Sequence, residues 1–316
     1  SNKHAFVCGP QGCGKSSGFF IPNILLRTNT SMVVTEATAA AKPNPDPQLY
    51  KDTAGARAQA GSKIYTFNPL NMYSTRINPI DVVRLAPPDE RTNEATKIAN
   101  LMSSNSKTSS SGDAEFWQTS ERHLFTALIL HVAAGDPKYA NFRTIRNMLT
   151  RGADNLMQIL SLSESNVALQ EYAGFVNNTN EGFAKGVAQG VMQKLNPWVT
   201  PTMVTLTAQS DFTIDNFKNE LFTFYVSVPG DRADLKPVAA LVLNYLMQMA
   251  LSIDSKYPVT FLLDEFTNFG YIPGFAGRVS LVRKTGLSFC LGFQDIGQVI
   301  NVYGRDEGPI ILSQPG

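Results

Sequence analysis

The chain has 316 residues, of which 43% are hydrophobic and 17% charged, and its formal net charge is +1. This composition is typical of one large or two modest globular domains, and it excludes a protein that binds nucleic acid through a high overall positive charge. The odd set of Cys8, Cys13 and Cys290 favours free thiols in a reducing compartment over disulfides. The apolar runs 124–134 and 238–253 are too short or too polar to span a bilayer and are predicted to be buried helices.

The N-terminal part alternates between strand and helix. Residues 4–8 ("HAFVC") form a short apolar run, and the segment from Gly14 to Leu26 has a helical pattern that Pro22 should kink or interrupt. Residues 31–35 and 62–67 are predicted strands, separated by a proline-rich loop at 39–48.

The middle of the chain is predicted to be helical. Between about 91 and 193, apolar residues recur at helical spacing, interrupted by a low-complexity stretch at 103–113. We interpret residues 86–216 as an all-α domain inserted into a nucleotide-binding domain whose two parts are 1–85 and 217–316.

The strand and helix alternation returns after residue 217. The C-terminal part contains four apolar strand-like runs and intervening helical patterns; the strand-like runs are 221–228, 259–263, 287–293 and, as a last strand, "PIILS" at 309–313. Near-continuous apolar strands between helices are typical of a parallel sheet that is covered on both faces. The predicted fold class is therefore α/β with a mostly parallel central sheet.

A glycine-rich segment follows the first strand and opens the first helix. Gly9, Gly14, Lys15 and Ser16 fit the pattern G-x-x-x-x-G-K-[ST], a loop whose backbone N–H groups surround phosphate oxygens. The loop predicts ATP binding, with Lys15 on the β- and γ-phosphates and the Ser16 hydroxyl on Mg²⁺. The predicted nucleotide-binding residues are Gly9, Pro10, Gln11, Gly12, Cys13, Gly14, Lys15, Ser16 and Ser17. The alternative is a glycine-rich turn that only caps a helix.

The loop needs a carboxylate from a neighbouring strand, and "VTFLLDEF" supplies two acids at a strand end. Asp264 is predicted to hold Mg²⁺ through water, and Glu265 to polarise the attacking water. The second acid favours hydrolysis over phosphate transfer. The alternative is a pair of exposed acids that cap the next helix.

Two further polar residues follow in the sequence. Arg283 could act as an arginine finger toward the γ-phosphate in a neighbouring subunit, with Lys284 and Arg278 as competitors and a helix-end cation as the alternative. Gln294 ends the next strand and could sense the γ-phosphate or position water, or it could only satisfy loop backbone groups.

Several blocks together resemble the coupling proteins of type IV secretion (the TraG/TraD family), within the FtsK/HerA group of hexameric motor ATPases. The blocks are "GPQGCGKSSGFFIPNIL", "RINPID", "EFW", "FLLDEFTNFGYIPGF", "LVRKTG" and "GFQDIGQVINVYG". The resemblance implies a RecA-like P-loop NTPase domain with an inserted all-α domain. It also implies that Arg283 is the arginine finger and Gln294 the sensor glutamine.

The resemblance further implies a membrane-anchored hexamer at the cytoplasmic face of the bacterial plasma membrane. Its expected partners are DNA with a relaxase or other protein substrate, and components of the secretion channel. The isolated chain is expected to be able to remain monomeric. Two alternatives stay open: a DNA translocase of the FtsK/HerA group unconnected to secretion, and a docking platform that binds nucleotide but hydrolyses little.

The chain departs from the family pattern after its second strand. The family has an Asp-Pro-Lys-Gly-Glu-like motif there, whereas this chain has Glu36 at the acidic position and extra residues at 39–48. The chain also ends, at "ILSQPG", before the family's terminal portion. The role of Glu36 is left open by the sequence.

Overall fold

The computed structural model describes residues 4–38, 47–104, 112–177, 180–272, 274–281 and 287–314. Its backbone contacts divide the chain into two compact units. The first unit is formed by Ser1–Thr75 and Asp211–Gly316, and the second by Arg76–Ser210. The sequence analysis expected the corresponding boundaries at residues 86 and 216.

Local pairing explains why the second unit starts and ends earlier than expected. The Ile77 N–H donates to the Leu206 carbonyl at 2.8 Å, and the Asn78 N–H donates to Ser210 Oγ at 3.0 Å. The segment that enters this unit, before α3, is therefore hydrogen-bonded to the end of α10 and to the residues that follow it.

The first unit contains one six-stranded sheet in the order β1-β6-β5-β2-β4-β3, and every neighbouring pair of strands is parallel. The strands are β1 (Ala5–Cys8), β2 (Ser31–Thr38), β3 (Lys63–Phe67), β4 (Phe222–Pro229), β5 (Val259–Leu263) and β6 (Leu287–Phe293). All residues of β4, β5 and β6 are buried, as the near-continuous apolar runs predicted. The predicted α/β fold class is confirmed.

The helices follow the chain in this order: α1 (Ile21–Leu26), α2 (Gln48–Gln59), α3 (Asp81–Leu85), α4 (Arg91–Ser104), α5 (Gly112–Ala134), α6 (Phe142–Leu149), α7 (Ala153–Ser161), α8 (Asn166–Asn177), α9 (Glu181–Lys194), α10 (Pro201–Leu206), α11 (Ile214–Asn219), α12 (Lys236–Ser252), α13 (Phe275–Leu281) and α14 (Ile296–Leu312). Helices α3 to α10 lie in the second unit, where the described residues form no strand.

The core of the first unit positions the start of α1 against the sheet. Phe20, Ile24, Met32, Leu262 and Cys290 belong to one buried cluster, together with side chains of α2 and β4. Burial of such side chains stabilises each by roughly 1.5–3 kcal/mol. The loop after β1 is therefore attached to a helix whose first turns are fixed in the core.

The predicted helical segment is present as Ser16–Leu26, Pro22 lies inside it, and the helix is irregular directly before the proline. The residues before it, Ser16–Phe20, form a π-helical turn, and α1 begins at Ile21 with Pro22 in its first turn. The hydrogen bonding changes from π to α at Ile21, directly before Pro22, which has no N–H to donate to a preceding turn.

The predicted last strand, "PIILS", is wrong. Residues 309–312 belong to α14, which is interrupted at Gly304, where φ is 75° and ψ is −177°. A short apolar run does not distinguish a strand from a buried turn of helix. Here Ile311 is fully buried while Ile310 is 45% exposed.

One segment of the described chain, Ala233–Ser252, is helical, long and apolar enough to cross a membrane by length and composition. It contains α12, and 72% of its most apolar window is buried inside the fold. This is the pattern of the core helix that the sequence predicted at 238–253.

Candidate functional site

The glycine-rich segment forms a tight loop between β1 and the π-helical turn. Gly12 and Gly14 have φ values of 79° and 88°, which residues with a Cβ rarely adopt. A Cβ at Gly9 would lie 2.7 Å from Cys13 Sγ, so a larger residue there would have to displace the Cys13 thiol. Pro10, Gln11, Cys13 and Ser17 are exposed in the loop.

Lys15 and Ser16 lie at the start of the helical segment. Lys15 Nζ donates to the carbonyls of Gly9 and Pro10, at 2.7 and 3.1 Å, so its ammonium group lies inside the loop. Ser16 Oγ donates to Asp264 Oδ2 at 2.8 Å. This hydrogen bond joins residues 248 positions apart in the chain.

The acidic strand is not the neighbour of β1 that the sequence analysis expected. Strand β6 lies between β1 and β5, and Gly292 of β6 makes the connection between the loop and the carboxylate possible. A Cβ at Gly292 would lie 2.8 Å from the Phe20 ring and 2.9 Å from Asp264 Oδ1. The missing side chain therefore leaves the space in which Phe20 and the Asp264 carboxylate lie.

Asp264 is buried directly after β5. Its Oδ1 accepts from the Glu265 N–H at 3.0 Å, and Thr35 Oγ1 donates to its carbonyl at 3.2 Å. Burial raises the pKa of Asp264, and the hydrogen bond from Ser16 opposes this effect. A desolvated carboxylate beside a serine hydroxyl is a suitable environment for a cation.

Glu265 has a left-handed backbone conformation. Its φ of 48° makes it the one non-glycine residue of the described chain with positive φ. Asn268 Nδ2 donates to Glu265 Oε2 at 2.7 Å, and the Asn268 N–H donates to the Glu265 carbonyl at 2.8 Å. Gln294 Nε2 lies 3.5 Å from Glu265 Oε1. The structure thus brings Glu265 and Gln294 together and adds Asn268, which sequence reasoning missed.

A second glutamine connects the ends of β5 and β6. Gln298 Oε1 accepts from Thr267 Oγ1 at 3.1 Å and from the Gln294 N–H at 3.4 Å. The sequence signal was the spacing Gln-x-x-x-Gln, which places Gln298 in the first turn of α14, whose N-cap is Asp295.

The three candidates for an arginine finger are not equivalent. Arg283 and Lys284 lie outside the described residues. Arg278 is buried in α13, with Nη1 4.0 Å from Met247 Sδ of α12. Its position inside the first unit does not suit a role in another subunit.

Glu36 is the N-terminal cap of α2. Its two carboxylate oxygens accept from the backbone N–H groups of Gln48 and Leu49 at 2.6 and 2.9 Å. Burial raises the pKa of Glu36 to about 7, against the lowering effect of these hydrogen bonds and with a smaller contribution from nearby Asp264. The residue that replaces the family's aspartate therefore fixes the start of a helix.

Within the described part of the chain, no three His, Cys, Asp or Glu side chains cluster as metal ligands. Mg²⁺ does not need such a cluster, because it keeps several waters and commonly takes one or two protein oxygens and substrate phosphates. Ser16 Oγ and Asp264 Oδ2, which lie 2.8 Å apart, are the two oxygens that the sequence analysis predicted as Mg²⁺ ligands. All three cysteines are free, as expected.

Comparison with known proteins identifies the family to which the chain belongs. Residues 1–315 match the family described as "Type IV secretory system Conjugative DNA transfer". The chain belongs to this family. The match covers both compact units, so the helical unit is part of the family domain and not an addition to it.

Two named proteins illustrate the relationship. Protein VirD4 of Rhizobium rhizogenes is 23% identical over 99% of this chain and 46% of its own length. The plasmid coupling protein TrwB in complex with the ATP analogue ADPNP superposes with a TM-score of 0.68 at 17% identity, over 98% of this chain and 68% of TrwB.

A further structure of TrwB contains ADP and Mg²⁺. It has a TM-score of 0.59 at 15% identity and covers 91% of this chain and 69% of that protein. These likenesses show that the chain has the fold of TrwB. The chain spans about half the length of the curated relatives it matches.

Proposed function

We propose that this chain is the nucleotide-hydrolysing part of a coupling protein that uses ATP to move DNA with a relaxase, or a protein substrate, into a conjugative type IV secretion channel. The observation that carries the proposal is the Ser16–Asp264 hydrogen bond, because it assembles a phosphate loop and a buried carboxylate at one edge of a parallel sheet. The binding of ADPNP, and of ADP with Mg²⁺, by TrwB supports nucleotide binding at this edge.

The residues of this chain have separable roles in the proposed reaction. The N–H groups of the loop and the Lys15 ammonium bind phosphates, and Ser16 and Asp264 hold Mg²⁺, which neutralises phosphate charge when bound. Glu265 accepts a proton from the attacking water, and Gln294, beside it, orients that water or the γ-phosphate.

The proposed assembly is a hexamer at the cytoplasmic face of the plasma membrane. Arg283 would supply a positive charge to the nucleotide of the adjacent subunit. Family membership supports this proposal, as does the position of Arg283 shortly after α13.

The test is a Lys15→Ala change in the full-length protein, scored by transfer of a conjugative substrate between cells. We expect transfer to be lost, and the exposed-surface variant Lys218→Ala to transfer normally. Normal transfer with Lys15→Ala would refute an ATP-driven role.

The helical unit favours one alternative, in which the protein is mainly a docking platform with little hydrolysis. The two functions differ in the ATPase rate of the full-length protein. A motor should hydrolyse ATP faster when single-stranded DNA is added, whereas a platform should not. A translocase unconnected to secretion would be distinguished by neighbouring genes that encode neither a relaxase nor channel components.

A further inference from the structure

The helical unit Arg76–Ser210 contains an open cleft of about 410 Å³ with one polar and one apolar wall. The polar wall is a single face of α6 and the residue that follows it; it is formed by Arg143, Arg146, Asn147 and Thr150. The apolar wall includes Val199 and Val204, from the turn before α10 and from α10 itself. The volume lies within the usual range for ligand sites.

Arg146 lacks an anionic partner among the described residues. Its Nε is buried without a hydrogen-bond partner, and its Nη1 faces Met192 Sδ at 3.7 Å, a weak acceptor. Burial of a guanidinium N–H group without a hydrogen-bond acceptor is unfavourable. An anion bound in the cleft would remove this cost.

The charge around the cleft also favours an anion. Residues 136–154 contain four cations, Lys138, Arg143, Arg146 and Arg151, and two acids, Asp136 and Asp154, which gives a net charge of +2. Neither Arg143 nor Arg146 forms an ion pair within the described chain. The cleft therefore has a local positive potential in a chain whose net charge is only +1.

The lining of the cleft suits a peptide carboxylate better than single-stranded nucleic acid. Proteins that bind single-stranded nucleic acid combine positive charge with aromatic side chains on which bases stack. No aromatic residue lines this cleft; its second wall is aliphatic. That wall suits an aliphatic side chain next to a carboxylate better than it suits a nucleobase.

We propose that this cleft binds an acidic peptide segment of a protein partner. Arg143 and Arg146 bind a carboxylate of the segment, the Asn147 side-chain amide donates a further hydrogen bond, and an adjacent aliphatic side chain packs against Val199 and Val204. All of these groups belong to one compact unit, so the inference does not depend on the nucleotide chemistry proposed above.

The experiment uses this chain and fluorescence anisotropy at physiological salt. The probes are a fluorescein-labelled peptide that alternates Asp or Glu with Leu or Val, the same peptide with Asn and Gln in place of the acids, and a labelled oligothymidine. We expect the acidic peptide to bind most tightly. Arg143→Gln and Arg146→Gln should each weaken it by roughly tenfold, the loss of one charged hydrogen-bonding partner.

Arg151→Gln is the matched control, because it removes the same charge nearby but outside the cleft, and it should leave the peptide affinity unchanged. An equal loss in Arg151→Gln would mean diffuse attraction and would overturn the proposal. So would tighter binding of oligothymidine that is lost in Arg143→Gln, or the absence of any peptide binding.

Two further measurements distinguish a loss of peptide binding from misfolding and from a loss of nucleotide binding. Thermal unfolding followed by circular dichroism checks each variant, and Arg143, which is exposed, carries the test if Arg146→Gln does not fold. Binding of a fluorescent ATP analogue is measured in parallel. Its loss in Lys15→Ala with unchanged peptide binding supports the independence of the cleft, whereas peptide binding that disappears in Lys15→Ala contradicts it.

Discussion

Glu265 is held by one side chain that the sequence analysis named, Gln294, and by one that it missed, Asn268. Its carboxylate contacts Asn268 and Gln294, and its left-handed backbone at φ 48° costs of order 1 kcal/mol for a residue with a Cβ. Conformations of this kind are retained where the surrounding structure requires them. Here the conformation directs the proposed general base toward the end of β6.

Removing Asn268 should therefore affect turnover more than binding. In the full-length protein, we expect Asn268→Ala to lower the ATPase kcat by roughly tenfold, because Glu265 loses the donor that orients it, while the Kd for an ATP analogue stays unchanged. Asn219→Ala, at an exposed position, is the control. A higher Kd with normal kcat would show that Asn268 supports the loop and not the glutamate.

Glu36 should make stability depend on pH. Its pKa is about 7 in the fold against 4.5 ordinarily, so between pH 4.5 and 7 the folded chain keeps a proton that the unfolded chain releases. The free energy of unfolding should fall as pH rises through this window, by at most about 3 kcal/mol from this residue, and then level off.

Urea unfolding of the wild type and of Glu36→Gln at several pH values checks this expectation. The variant should lose the decline between pH 4.5 and 7, whereas Glu164→Gln, at an exposed position, should keep it. Identical pH profiles for wild type and Glu36→Gln would mean that the carboxylate is charged throughout. Asp264 and Tyr225 are the titratable neighbours of Glu36. Both residues stay unchanged in Glu36→Gln, so that the two pH profiles differ through residue 36.

At the scale of elements, the structure depends on how β6 fits between β1 and β5. The sequence predicted strand β6, the P-loop and the acidic pair Asp264 and Glu265, because each has a local pattern of residue types. It did not predict that Gly292 must be small, since the reason is a contact with Phe20 and Asp264, which are distant in sequence. The Glu36 cap, the contact of Asn268 with Glu265 and the helical "PIILS" segment escaped for the same reason: tertiary contacts decide them.

A side chain at Gly292 should disturb both the core and the site. We expect Gly292→Ala to lower the free energy of unfolding by about 1–3 kcal/mol, because the Phe20 ring must move, and to weaken Mg²⁺-dependent nucleotide binding. Gly277→Ala in α13, where a Cβ would meet nothing within 4 Å, should be neutral or slightly stabilising. Equal effects of the two substitutions would mean that packing at β6 does not position Asp264.

At the scale of the whole molecule, two compact units carry different surfaces. The sheet unit holds the predicted nucleotide-binding residues at the carboxyl ends of its strands, where ligands usually bind in such folds. The helical unit holds the arginine-lined cleft. The proposed nucleotide site and the proposed protein-binding site therefore belong to different units of the chain.

The most direct test of the account is a double-mutant cycle on Ser16→Ala and Asp264→Asn in this chain, measured as the Kd of a fluorescent ATP analogue with and without Mg²⁺. If the two residues hold one Mg²⁺, each single variant loses most of the Mg²⁺-dependent gain in affinity, and the double variant loses little more. Losses that multiply, or a Mg²⁺ effect that survives in Asp264→Asn, would contradict a shared nucleotide–metal site.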